Sequence, residues 1–300
     1  MKIGLIDVDS HNFPNLALMK ISAWHKAQGD EVEWWFGFHQ YDLVYMSKVF
    51  DNTYTPDVYD PVNTKEIIKG GTGYGLDNKL PDEIEHMYPD YSLYPELTKD
   101  TAYGFLSRGC PRGCPFCIVK DKEGRKTYKV ADLSEWWNGQ KNIVLCDPNL
   151  LACREHMDLL RQLAESNAYV DVNQGFDARL LTMDNIEAIK RIKLKEIHFA
   201  WDLMEQSDAV LKGLELWKEH GKKVAHGSLG TVYVLVNYDT TMAENLYRVT
   251  ELDRMGFDPY VMVYDKPNAP KVIRDLQRWC NNKRIFKSCT FCEYRRGGNK

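Results

Sequence analysis

Residues 103–117 read Tyr103-Gly-Phe-Leu-Ser107-Arg-Gly-Cys110-Pro-Arg-Gly-Cys114-Pro-Phe-Cys117. Tyr103–Ser107 has the character of a strand, and the Gly/Pro-rich segment after it predicts a loop at the strand's C-terminal end. Barrel enzymes build their active sites on such loops. The cysteines are spaced C-x3-C-x2-C. Three thiolates this close can wrap one iron–sulfur cluster and supply three of its four iron ligands. The fourth iron then stays open to a chelating substrate, much as catalytic zinc sites keep one open position. Zinc is the competing reading, but it wants a fourth Cys or His, and none lies within ten residues on either side.

Strand and helix alternate outward from this loop. Strands are predicted at Tyr103–Ser107, Asn142–Cys146, Tyr169–Asn173, Glu196–Ala200, Thr231–Val236 and Tyr260–Tyr264. Helices are predicted at Ser134–Trp137, Cys153–Asn167, Met183–Arg191, Asp208–His220, Ala243–Met255 and Lys271–Asn281. A closed eight-unit barrel takes roughly 250 residues, so six units in roughly 180 residues predict an open, partial (β/α)6 barrel.

A second alternation precedes it, with strands at Lys2–Asp7, Glu31–Trp35 and Leu43–Met46, a further run Glu66–Lys69, and a helix Leu16–Gln28 closed by Gly29. This is the pattern of a doubly wound parallel sheet. The fold class is therefore α/β, with residues 1–80 as a flavodoxin-like domain, 81–100 as a Pro-, Tyr- and acid-rich linker, 101–281 as the barrel and 282–300 as a tail. The segment Gly70-Gly-Thr-Gly-Tyr-Gly75 misses the dinucleotide fingerprint by one position and reads as a bend.

Composition narrows the function classes. The chain is 44% hydrophobic and 27% charged, as a globular protein is. Its net charge of −4 argues against a bulk electrostatic nucleic-acid binder. Residues 1–95 hold 7 Lys, no Arg and 15 acidic residues, a net of −8, and the remainder is +4. The basic segment from Arg284 to Lys300 reads as a solvated terminus. No signal peptide or apolar run of membrane-spanning length is present, so a cytoplasmic setting is expected, where clustered Cys serve as metal ligands or reactive thiols.

Cys110, Cys114, Phe116 and Cys117 together resemble the signature of the radical S-adenosylmethionine (SAM) superfamily. The resemblance implies a 4Fe–4S cluster on the three cysteines, with SAM chelating its open iron. It also implies one-electron cleavage of SAM to a 5′-deoxyadenosyl radical, which acts on a substrate the sequence does not name. An electron donor such as flavodoxin or ferredoxin follows from that chemistry. SAM contacts are then expected at the strand ends, at Asp147, Pro148 and Asn149, where the family often has Gly-Gly-Glu. Further contacts are expected at Gln174 and Arg179, at Trp201 and Asp202, and at Asn237. Arg179 could fork onto the SAM carboxylate or pair with Asp177, and Trp201 could flank adenine or sit in the core.

A second resemblance concerns cobalamin-binding domains, which carry D-x-H-x-x-G after the first strand, then a Ser, then a Gly-Gly pair. Asp9, His11, Ser47, Gly70 and Gly71 follow that order, with Pro14 in place of the motif's Gly. His11 would ligate cobalt with an acid orienting its ring. The alternative is a flavodoxin-like domain that binds nothing. Cys280, Cys289 and Cys292 could hold a second metal, whereas Cys146 and Cys153 read as buried small hydrophobes. Three functions stay open: a radical SAM enzyme without cobalamin, a cobalamin-dependent radical methyltransferase, and a non-catalytic metal-binding module.

Overall fold

The computed structural model describes residues 1–223 and 228–297, so the last three residues of the expected tail lie outside it. The chain is mixed α/β with several parallel sheets. It divides into two compact units, Met1–Val144 and Leu145–Lys300.

The first unit opens with β1 (Lys2–Asp7), α1 (Leu16–Ala27), β2 (Glu31–Trp34), β3 (Tyr41–Ser47) and β4 (Thr64–Gly70). These strands form one sheet in the order β2-β1-β3-β4, every pair parallel, as expected. The order reverses between β1 and β3, which makes their C-terminal ends the switch point where such sheets bind ligands. Asn15 starts α1, its side chain accepting the Leu18 N–H at 3.2 Å. Leu18, Met19 and Ile21 of that helix are buried with Ile3, Leu5 and Leu43 of the sheet.

The expected linker is folded onto this unit. It carries three single turns, α2 (Asp82–Glu85), a 3-10 turn (Tyr91–Leu93) and α3 (Pro95–Thr98). Ile84 and Leu93 are buried in the cluster under α1. Glu85 pairs with Lys20 at 2.8 Å, Asp90 with Lys26 at 2.6 Å, and the Tyr94 hydroxyl donates to Asp7 at 2.6 Å. Composition marked a break in regular structure there, but two apolar anchors and three polar ties make the segment a strap. The unit continues through β5 (Thr101–Gly104), β6 (Ser107–Arg108), α4 (Val119–Lys122), β7 (Tyr128–Lys129) and β8 (Asn142–Leu145), where the two units divide. The expected helix at Ser134–Trp137 is a single 3-10 turn, Leu133–Glu135, closed by a capping box from Asp132 and Glu135.

The second unit runs α5 (His156–Glu165), β9 (Tyr169–Val172), α6 (Met183–Arg191), β10 (Lys193–Glu196), β11 (His198–Ala200), α7 (Ser207–His220), β12 (Thr231–Val236), α8 (Met242–Met255), β13 (Asp258–Val263) and α9 (Lys271–Asn281). The pairs β9–β10, β11–β12 and β12–β13 are all parallel, as one helix between successive strands requires. The strand expected at 196–200 is two strands, broken at Ile197. The described part of the tail forms α10 (Lys283–Ser288) and α11 (Phe291–Gly297), with Arg284, Lys287 and Arg295 exposed to solvent. Trp279 holds both, its ring centroid 4.7 Å from Phe286 and 5.5 Å from Phe291.

The strap can be tested by truncation. Leu93→Ala is expected to lower the unfolding free energy by about 2–3 kcal/mol in urea titration, as core truncations do. A linker position would change it by under about 0.5 kcal/mol.

Candidate functional site

The cysteines lie on the excursion between β6 and β7, which pair antiparallel, Ser107 opposite Lys129 and Arg108 opposite Tyr128. Its neck is tied by Glu123. One carboxylate oxygen accepts the Gly109 N–H at 2.9 Å and the other the Arg108 guanidinium at 2.9 Å. Cys110 N–H donates to the Gly124 carbonyl, and the Thr127 hydroxyl to the Gly109 carbonyl. Gly109 and Gly113 each precede a cysteine and have φ of +78° and +59°. A Cβ on Gly109 would come within 2.0 Å of the Lys126 carbonyl oxygen, so only glycine fits there. Further on, the Cys117 N–H donates to the Cys114 carbonyl at 3.0 Å, which turns the chain back on itself. All three cysteines are partly exposed.

Among the described residues, no group of three or more His, Cys, Asp or Glu is placed to hold a metal ion. The donor set on the loop nonetheless has the right chemistry for a cluster: three thiols on one short, pinned segment.

At the switch point of the first unit, Asp9 is buried and its two oxygens accept the Val49 and Phe50 N–H groups at 2.7 and 2.8 Å. That occupies the carboxylate which the cobalamin motif would turn toward His11, itself an exposed turn residue with φ of +47°. Ser47 is buried and accepts the Asn15 amide at 2.8 Å. A Cβ on Gly71 would meet the Lys48 carbonyl oxygen at 2.3 Å, so this glycine is required by the chain's own backbone. These residues do not form a His–Asp relay for cobalt.

In the second unit, two of the residues expected at the strand ends, Asn149 and Arg179, meet at Asp177. Asp177 follows β9 and accepts the Arg179 guanidinium through Nε at 2.7 Å and Nη2 at 3.0 Å. It also accepts the Asn149 amide at 3.1 Å, and Arg179 reaches Gln206 through Nη1. Of the two roles open to Arg179, the pair with Asp177 is the one formed. Asp147 and Asn149 are buried and Pro148 is partly exposed, whereas Gln174 is exposed. Asn237 sits at φ +66° after β12 and donates to the Tyr264 carbonyl at 2.9 Å. Trp201 is fully buried with its indole N–H on Ser207, so it is core and not a face for adenine.

Asp202 follows β11, and burial pushes its carboxyl up to about 6, against the pull of Arg248 and Arg179. Arg248, on α8, was not foreseen. Its guanidinium has no solvent exposure and donates to the carbonyls of Trp201 at 2.8 Å, Asp202 at 2.7 Å and Leu235 at 2.8 Å, and to Asn245 at 2.7 Å. Burial lowers it to about 10, with Asp202 opposing. The signal was present in the helix: Asn245, Arg248, Val249 and Leu252 form one buried stripe, which puts an arginine inside.

The remaining five cysteines are free thiols. Cys153 and Cys280 are buried, and desolvation raises their thiols to about 11 and about 12. Cys146 is buried, Cys289 partly exposed, and Cys292 exposed on α11.

Among the described residues, no helix is long and apolar enough to cross a membrane. Compared with protein-family models and with curated proteins, the chain matches none.

Arg248→Met is expected to cost about 3–5 kcal/mol in urea titration, because it strips donors from three carbonyls and removes the strongest positive charge acting on Asp202. The exposed Arg254→Met should stay within about 0.5 kcal/mol. Asp202 carries a pH signature. Its folded value is raised, so its contribution is fully present below about pH 4 and lost as pH rises through about 6. The stability of the wild type relative to Asp202→Asn should therefore fall by roughly 1–3 kcal/mol between pH 4 and pH 7. A rise would mean that attraction to Arg248 outweighs burial.

Proposed function

We propose that the chain is a radical SAM enzyme, with a 4Fe–4S cluster on Cys110, Cys114 and Cys117 and SAM as its co-substrate. The observation that carries the reading is the pinned loop: three thiols at C-x3-C-x2-C spacing, two of them directly after positive-φ glycines, above a neck closed by Glu123. A solvated linker would need neither the glycines nor the partly buried carboxylate. When bound, the cluster supplies the electron that cleaves SAM reductively to methionine and a 5′-deoxyadenosyl radical.

The chain's own residues have definite tasks in this reading. Glu123 and Gly109 pin the neck of the loop, and the three thiols would be drawn together on it when the cluster binds. In the second unit, Asp202 accepts ribose hydroxyls once ionised, and Arg248 holds its backbone in place. Arg179 presents a guanidinium already aligned by Asp177, and a SAM carboxylate would have to compete for that fork. In the second unit, parallel strands joined through single helices support the α/β part of this reading, and the partial (β/α)6 barrel is proposed with it. The electron would come from a flavodoxin- or ferredoxin-type donor in a reducing, cytoplasmic setting.

Anaerobic reconstitution tests the reading. The protein should take up about four iron and four sulfide, absorb broadly near about 400 nm, and release 5′-deoxyadenosine from SAM under dithionite. Replacing Cys110, Cys114 and Cys117 by Ala, in a background with Cys289 and Cys292 also changed, should abolish all three signals. Iron retained by that variant would refute the assignment.

A further inference from the structure

A cavity of about 720 Å³ opens within the first unit, between the β3–β4 edge of the sheet, the start of α1, the strap and the β6–β7 pair. Leu16, Tyr45, Tyr103, Phe105 and Trp136 form its apolar wall. None of the three loop cysteines lines it, so it is a site distinct from the proposed cluster. The volume is that of a site for a drug-sized molecule.

Its charge runs against its surroundings. Residues 1–95 carry a net of −8, yet the cavity is lined by six Lys and Arg against four Asp and Glu. Most of the cations are answered by carboxylates. Glu85 serves both Lys20 and Arg108, Glu123 serves Arg108, Asp60 serves Lys69 and Asp132 serves Lys129. Lys79 and Lys122 have no carboxylate within ion-pair distance among the described residues; Lys79 is exposed, whereas Lys122 is partly buried and its ammonium donates to the neutral Thr72 hydroxyl. Burial, opposed by Glu123, lowers its basicity. An ammonium in this position gains from an incoming anion what the protein itself does not supply.

We propose that this cavity binds a small organic anion, its flat apolar body against Tyr103, Phe105 and Trp136 and its carboxylate or phosphate on Lys122. The aromatic wall favours a ring system over an alkyl chain, through edge contacts, since the Arg108 guanidinium already lies 3.9 Å over the Phe105 ring.

The test uses the full chain as purified, without cluster reconstitution, so its outcome does not depend on the radical SAM reading. Calorimetric titration with 8-anilinonaphthalene-1-sulfonate should show one saturable site. Lys122→Met should weaken it about tenfold or more, while the uncharged N-phenyl-1-naphthylamine binds both proteins alike. Ala17→Phe, which fills the cavity from α1 without changing charge, should remove both ligands; a retained circular dichroism melt checks each variant's fold. Competition by 1-naphthoate or by 1-naphthyl phosphate identifies the head group, and failure of both to compete overturns the proposal. So does sulfonate binding that is unchanged in both variants. Stoichiometric displacement by hydroxocobalamin would overturn it too, by giving the cavity to a corrinoid tail.

Discussion

Where parallel strands end, the backbone leaves amides and carbonyls that no neighbouring strand answers, and burial makes each of them costly. In the second unit this is resolved by Arg248. Its guanidinium reaches the carbonyls of Trp201 and Asp202 after β11 and of Leu235 near the end of β12, with Asn245 completing the set. A lysine could not meet all four acceptors, because its ammonium has only three N–H donors. The consequence reaches the chemistry, since the residue so fixed, Asp202, carries the shifted carboxyl.

The first unit meets the same constraint with opposite charge. Asp9 takes the two amides after β3, and Glu123 takes the amide at the start of the cysteine loop. In each case a short acidic side chain replaces a missing strand and stiffens the segment that follows. The glycines share the work. Gly71 and Gly109 both lie where a Cβ would overlap a carbonyl oxygen, of Lys48 and of Lys126. The Gly-Gly pair is thus part of how the sheet edge closes on itself, and that closure also shapes one wall of the cavity.

The strap and the C-terminal helices make a related point. Both are built from residues whose composition reads as linker or tail, yet each is held by a few large apolar anchors: Ile84 and Leu93 in one, Phe286 and Phe291 against Trp279 in the other. A handful of buried side chains is enough to dock a short segment when the surface beneath it is already formed.

By itself the sequence determined what is local. Period and punctuation were enough for the parallel N-terminal sheet and for most strands and helices of the second unit, whose bounds agree within a few residues for α6, α7, α8, α9 and β12. The loop after Ser107 was legible as an excursion because its Gly and Pro punctuation is read within eleven residues. What only the tertiary structure decided is pairing at a distance. Arg179 could have faced a ligand or an acid, Trp201 a ligand or the core, and Asp9 a histidine or the backbone. The choices fell on Asp177, on the core and on Val49 and Phe50. Each depends on which partner the fold brings within about 3 Å, and hydrogen-bond energy falls too steeply with distance for spacing along the chain to foretell it.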